Sequence, residues 1–360
     1  MITLNNPMLG KLHNWSKMNW NSKYKILVFD WWEWTLANPG WDTHVKESLD
    51  EIIAGIKKHD ICFFVINEIL KSPRPEQDLN LDKKLQNMMT ELNNLNVFYI
   101  TLSEDSLFPT DESKTFNIPW FIENELYTSK NTTIDFDYRP KDFTFNMLLG
   151  ADKNERTKMF KTLHNESHIY STYFGHKDGK IKSRGDLDDT DIWNNLTNQD
   201  LSKKLNTMEV AFRENRQYAI SRIVPESIYN NSHFDIVAES QPIISSLNFT
   251  TEKTGKPLST GRFFIWYNSP HKVKYLRKFG FELQDYLCDY DSIIDNDKRL
   301  ETILELIKEI GDNENYIKKI YKKTKNARIH NQEVYKELMT TTTSKLSSWI
   351  NGQIKEKAHG

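Results

Sequence analysis

Short apolar runs alternate along this chain with longer stretches in which hydrophobic residues recur every three or four positions. Lys25-Ile26-Leu27-Val28-Phe29-Asp30 is one such run, closing on an acid, and it reads as a first buried strand. Residues 61–67 and 97–102 repeat the pattern. Between them, Val45, Leu49, Ile52, Ile53 and Ile56 fall on one helical face, as do Leu81, Leu85, Met88, Met89 and Leu92. A second series begins where Arg139-Pro140 breaks the pattern, with a strand at 143–150, a helix at 152–164, and strands at 168–174, 234–239 and 263–267. Leu300, Ile303, Leu304, Ile307 and Ile310 mark an amphipathic helix, and residues 316–355 are helical by pattern. Strands alternating with helices predict parallel, doubly wound sheets, because a parallel pair needs a crossover long enough to hold a helix. The expected fold is α/β, with Rossmann-like domains over 1–140 and 141–315 and a helical tail over 316–360.

Composition agrees with that division and removes several functions. A chain of 360 residues is long for a single core, and 10 Trp, 15 Tyr and 19 Phe supply ample material for two. A net charge of -2 exerts no global pull toward nucleic acid or anionic membrane, so any such contact must be local. Cys62 and Cys288 make neither a disulfide framework nor a zinc site. The first 30 residues lack a basic segment followed by an apolar core, and no apolar run is long enough for a membrane span. The expected location is therefore the cytoplasm. The first strand is followed by Trp31-Trp32-Glu33-Trp34 rather than by a glycine-rich turn. Together with the lack of a P-loop pattern, this disfavours dinucleotide and ATP sites.

The chemistry concentrates in Phe249-Thr250-Thr251-Glu252-Lys253-Thr254-Gly255-Lys256-Pro257. An apolar approach meets an acid–base pair, then a turn-prone Gly and Pro, then the strand at 263–267. In a strand–turn–helix–strand unit, that order puts Glu252 and Lys253 at the mouth of a sheet near a helix N-terminus, where phosphates bind. A carboxylate can bridge two ribose hydroxyls while an ammonium neutralises a diphosphate. The segment reads as a nucleotide-sugar site. Phe234-Asp235-Ile236-Val237-Ala238-Glu239-Ser240, with the Thr251-Glu252-Lys253 block, resembles the donor-site motif of α-1,3-fucosyltransferase-like enzymes. It departs from them in a longer insert, Gln241 to Asn248, and in Ser240 where the family has Asn, which leaves the sugar open. The Thr-Glu-Lys-Thr-x-Lys-Pro block is also similar to one in uncharacterised glycosyltransferase-like proteins of tailed phages. The first resemblance implies that Lys253 pairs with the donor diphosphate and Glu252 holds the ribose. By the same resemblance, Glu239 and Thr251 belong to the motif and Arg156 would grip phosphate. Two Rossmann-like units in series with a helical tail suggest the GT-B layout, in which the domains face a cleft. The expected activity is a metal-independent, inverting glycosyl transfer, with a nucleotide-diphosphate sugar as co-substrate and no cofactor.

The acceptor side is read from position. Asp30 and Glu33 are candidate catalytic bases near a strand end, with Glu68 and Glu104 as further acids, and Trp31, Trp32 and Trp34 are candidate acceptor platforms. Asp189-Thr190-Asp191 has the look of a metal-dependent motif, but it follows a polar loop rather than an apolar strand, so no metal is expected. Lys318, Lys322 and Lys325 share a helical face that could track a phosphate backbone. The expected acceptor is a glycan or a hydroxylated base in phage DNA, acting in the host cytoplasm if the chain is phage-encoded. The alternative is a glycan- or nucleic-acid-binding protein with a transferase-like fold and no catalysis.

Overall fold

The structure is a computed structural model, and it describes residues 24–30, 53–66, 87, 90–101, 112–119, 121, 127–128, 132, 134–151, 154–175, 223–239, 250–283 and 287–359. These fall into two compact units. The first holds the described residues up to 121 together with those from Met339 onward; the second runs from Tyr127 to Leu338.

The first unit carries a four-stranded sheet, ordered β1 (Ile26–Asp30), β2 (Ile61–Ile66), β3 (Val97–Thr101) and β4 (Thr115–Asn117), with every neighbouring pair parallel. β2 does not alternate in polarity, and Ile61 to Val65 are all buried. A parallel strand covered on both faces requires such an unbroken apolar run. Burial pushes the Cys62 thiol in β2 up to about 12, which keeps it protonated and unreactive. Trp349 covers this sheet, its ring centroid 5.4 Å from that of Phe116 and 6.1 Å from those of Phe63 and Phe98.

The second unit carries the other four-stranded sheet, built from β6 (Phe143–Ala151), β7 (Ile169–Gly175), β9 (Ser232–Ala238) and β10 (Phe264–Tyr267). Its order is β10-β9-β6-β7, again all parallel, and β5 (Tyr127–Thr128) pairs with β8 (Ile223–Val224) as a separate two-stranded ribbon. The chain winds from β6 to β7 on one side and then crosses back to β9 on the other. The winding direction therefore reverses between β6 and β9; in open α/β sheets generally, ligands bind outside the carboxyl ends of the strands at such a point. In the first sheet the strands follow chain order, and the described residues contain no such reversal.

Alternation along β9 sorts its side chains. Phe234, Ile236 and Ala238 join Phe145, Met147 and Leu149 of β6 in the core, against Met159 and Leu163 of the Asn154–Leu163 helix and Leu300, Ile303 and Ile307 of the Asn296–Ile310 helix. The intervening His233 and Asp235 are also buried, so each needs a partner. Asp235 accepts from Arg262 Nε at 2.6 Å and from Asn146 Nδ2 at 2.6 Å. His233 stacks on Tyr138 at 5.4 Å, with Nδ1 3.3 Å from the Tyr321 hydroxyl.

Burial, reinforced by the positive charges of Lys141 and Arg262 and opposed by Asp135, holds the His233 imidazole down to about 4. The folded state thus prefers the neutral ring, whereas the unfolded chain takes up a proton near the usual 6.5. His233 stabilises the fold fully above that pH, and its contribution of roughly 3 kcal/mol drains away as pH falls toward 4. The check is acid unfolding of the wild type beside His233→Phe: the variant should lose less stability across that window. Parallel curves would remove the assignment.

The Glu314–His359 helix belongs to the second unit through Leu338 and to the first from Met339. Arg328, near its middle, is buried and donates to the Asp135 carbonyl at 2.8 Å and the Phe136 carbonyl at 2.6 Å, which fastens the segment before β6. Gly261 lies against this clasp with φ +59; an added Cβ would sit 2.7 Å from the Phe136 ring, so glycine is required there for space as well as for conformation. Among the described residues, no helix is long and apolar enough to cross a membrane.

Candidate functional site

Glu239 follows directly on β9 and is wholly buried. Its backbone N–H donates to the Tyr267 carbonyl on β10 at 3.0 Å. Its carboxylate receives the Thr251 N–H at 3.2 Å on both oxygens, the Thr251 hydroxyl at 2.7 Å and the Thr254 hydroxyl. A carboxylate held at this point complements the positive end of the Glu252–Ser259 helix and fixes where it begins. Thr251 is the N-cap, accepting the Lys253 N–H at 3.3 Å. Gly255 and Pro257, expected from sequence to form a turn, lie inside this helix. Both disfavour helix by propensity, but the anchoring of Thr251 and Thr254 to Glu239 sets the first turn and overrides that preference.

Glu252 and Lys253, the first two residues of the helix, form an ion pair at 2.7 Å with side-chain exposures of 11% and 21%. Burial pushes the Glu252 carboxyl up, but Lys253 and then Lys256 outweigh it and hold it below its ordinary value. Lys256, one turn further along, is buried, and desolvation brings its ammonium down to about 8 despite the opposing charge of Glu252. Arg156 stands on the first turn of the helix after β6. At 2% exposure, its Nη2 donates to the Ala238 carbonyl at 3.1 Å, so it bridges β6's helix to the end of β9 across the reversal point. Among the described residues, Arg156, Lys253 and Lys256 thus stand with Glu239 and Glu252 at the carboxyl ends of β6 and β9, and Glu155 shares the helical turn that carries Arg156.

The donor-side residues expected from sequence, Arg156, Glu239, Thr251, Glu252 and Lys253, are therefore placed around one strand end. Glu239 turns its carboxylate onto the helix that it anchors. Lys256 was missed as a participant, and Thr254 reads from sequence only as a flank of the Glu252-Lys253 pair. The signal for Lys256, its place four residues after Glu252, becomes readable only once the segment is known to be helical. Asp30 is the last residue of β1. Its side chain, with Trp31, Trp32, Glu33, Trp34, Glu68, Glu104 and Asp189-Thr190-Asp191, lies outside the described residues. Lys318, Lys322 and Lys325 all stand on the long helix. Lys318 pairs with Glu314 at 2.6 Å, and Lys325 reaches Asp137 at 2.7 Å, so acids answer part of that stripe.

Compared with models of known protein families and with curated proteins, the chain matches none.

Proposed function

We propose that the chain is a metal-independent, inverting glycosyltransferase of GT-B type that takes its sugar from a nucleotide-diphosphate donor. The observation supporting this reading is the winding reversal between β6 and β9, with Arg156, Lys253 and Lys256 gathered at the carboxyl ends of those strands. In the reaction, an acceptor hydroxyl attacks the anomeric carbon, a carboxylate takes its proton, and the bond from that carbon to the phosphate oxygen breaks. Negative charge then grows on the departing diphosphate. Lys253 and Lys256 answer that charge, and a pre-positioned cation stabilises it without reorganisation at the moment of transfer. Glu252, held ionised by the two lysines, accepts from the ribose hydroxyls. Asp30 or Glu33 serves as the base in this scheme, with Trp31, Trp32 and Trp34 as the acceptor platform. The acceptor is a glycan or a hydroxylated DNA base. A DNA acceptor would also engage the 318–325 lysines, where Glu314 and Asp137 already compete for Lys318 and Lys325.

Calorimetry with a panel of nucleoside diphosphates tests the reading. The wild type should bind at least one, and Lys253→Ala should lose roughly 1.5–3 kcal/mol of that affinity with the fold intact. Arg156→Ala should weaken binding too, but it also removes the bond to the Ala238 carbonyl, so Lys253 gives the cleaner comparison. A wild type that binds none of the panel overturns the reading. Binding without hydrolysis or transfer of any sugar donor would instead mark a transferase-like fold used for recognition alone.

A further inference from the structure

Among the enclosed polar groups at the carboxyl end of the second sheet, the Thr250 hydroxyl and the side-chain amide nitrogen of Asn268 have no hydrogen-bond partner among the described residues. Thr250 is 1% exposed and Asn268 3%. Buried donors are rarely left unmet, because water that once satisfied them has been removed. Both residues adjoin Glu239. The peptide group joining Tyr267 to Asn268 accepts the Glu239 N–H at 3.0 Å, and the peptide group joining Thr250 to Thr251 donates to the Glu239 carboxylate at 3.2 Å. Strand register agrees, since Tyr267 pairs with Ala238.

The local bonds leave donors over at the Asn268 amide and a hydroxyl free to donate at Thr250. Asn268 Oδ1 accepts the Ser269 N–H at 2.8 Å, so the amide is oriented and its N–H end remains over. The Glu239 oxygens are engaged by Thr251 and Thr254. Two groups able to donate, next to a helix whose first five residues include Lys253 and Lys256, fit an oxygen-rich anion. A neutral sugar face would also offer acceptors, but it would gain nothing from the charge of the lysines.

We propose that Thr250 and Asn268 form a subsite that donates to non-bridging oxygens of the donor's diphosphate and holds the leaving group in place; the inference rests on the nucleotide-sugar reading above. Thr250→Val keeps the shape and removes a hydroxyl with no bond to lose. Asn268→Asp keeps the acceptor for Ser269 and replaces the donor with an oxygen that repels phosphate. Calorimetry with inorganic pyrophosphate and with GDP, UDP and dTDP would compare both with the wild type and Lys253→Ala. Ligand-free Thr250→Val should melt at or above the wild-type temperature yet bind the preferred diphosphate about 10-fold more weakly or worse, with Asn268→Asp weaker still. Should Asn268→Asp fail to fold, Thr250→Val alone decides. Wild-type affinity in Thr250→Val, alongside weakened Lys253→Ala, overturns the subsite and leaves the nucleotide-sugar reading standing. A wild type that binds no diphosphate overturns both.

Discussion

Arg262→Met should destabilise the second unit by roughly 3–5 kcal/mol, because it strands a carboxylate inside a sheet. The Arg262 guanidinium donates to Asp235 at 2.6 Å, to the Tyr229 carbonyl at 2.9 Å and to the Ser232 hydroxyl at 3.1 Å, and it lies 4.4 Å from the Tyr229 ring. With the cation gone, Asp235 keeps its bond from Asn146 but, among the described residues, no countercharge at hydrogen-bond distance. Asp235→Leu combined with Arg262→Met should recover much of the loss, since two apolar side chains need neither water nor each other's charge. Denaturant unfolding of the four species forms a double-mutant cycle whose coupling term reads the pair directly. A cost below about 1 kcal/mol for Arg262→Met would show that water or a rearranged neighbour satisfies Asp235.

The second large effect joins stability to the candidate site. Glu239→Ala should cost roughly 3–4 kcal/mol, because the Thr251 N–H and the Thr251 and Thr254 hydroxyls all lose a charged acceptor in a buried place. The first turn of the Glu252–Ser259 helix should then fray and take the Lys253 ammonium with it, so diphosphate affinity falls as well. Glu239→Gln should fall between the wild type and Ala: its amide oxygen still accepts the Thr251 N–H, and its amide nitrogen can donate to the hydroxyls. Hydrogen exchange at the amides of 253–256, read beside the unfolding midpoint, separates fraying of this helix from a general loss of stability. Unchanged protection of these amides in Glu239→Ala would defeat the anchoring argument.

Much of the architecture was legible in the chain because it rests on local periodicity. The unbroken apolar run from Ile61 to Val65 reads as a strand, and the structure places it inside a parallel sheet with every one of these residues buried. Leu300, Ile303, Leu304, Ile307 and Ile310 repeat at helical spacing, and all five are buried on the face that meets the core. The α/β class with parallel strands follows from that alternation alone.

Pairing order and side-chain partners were not legible, since they are set by contacts far apart in sequence. That β9 crosses back to lie beside β6, and so creates the reversal point, depends on which edge of β6 accepts it; no residue of Ser232–Ala238 announces the choice. His233 and Asp235 look like polar interruptions of an apolar strand until Tyr321 and Arg262 arrive from 88 and 27 residues away. Glu239 reads as an acid at a strand end, suited to a ligand, and the fold turns it onto a helix 12 residues on. That same bond puts Gly255 and Pro257 inside a helix against their own preference. Local propensity is worth a fraction of a kcal/mol per ordinary residue, about 1 for Gly and about 3 for Pro, whereas a buried carboxylate with three donors can outweigh their sum.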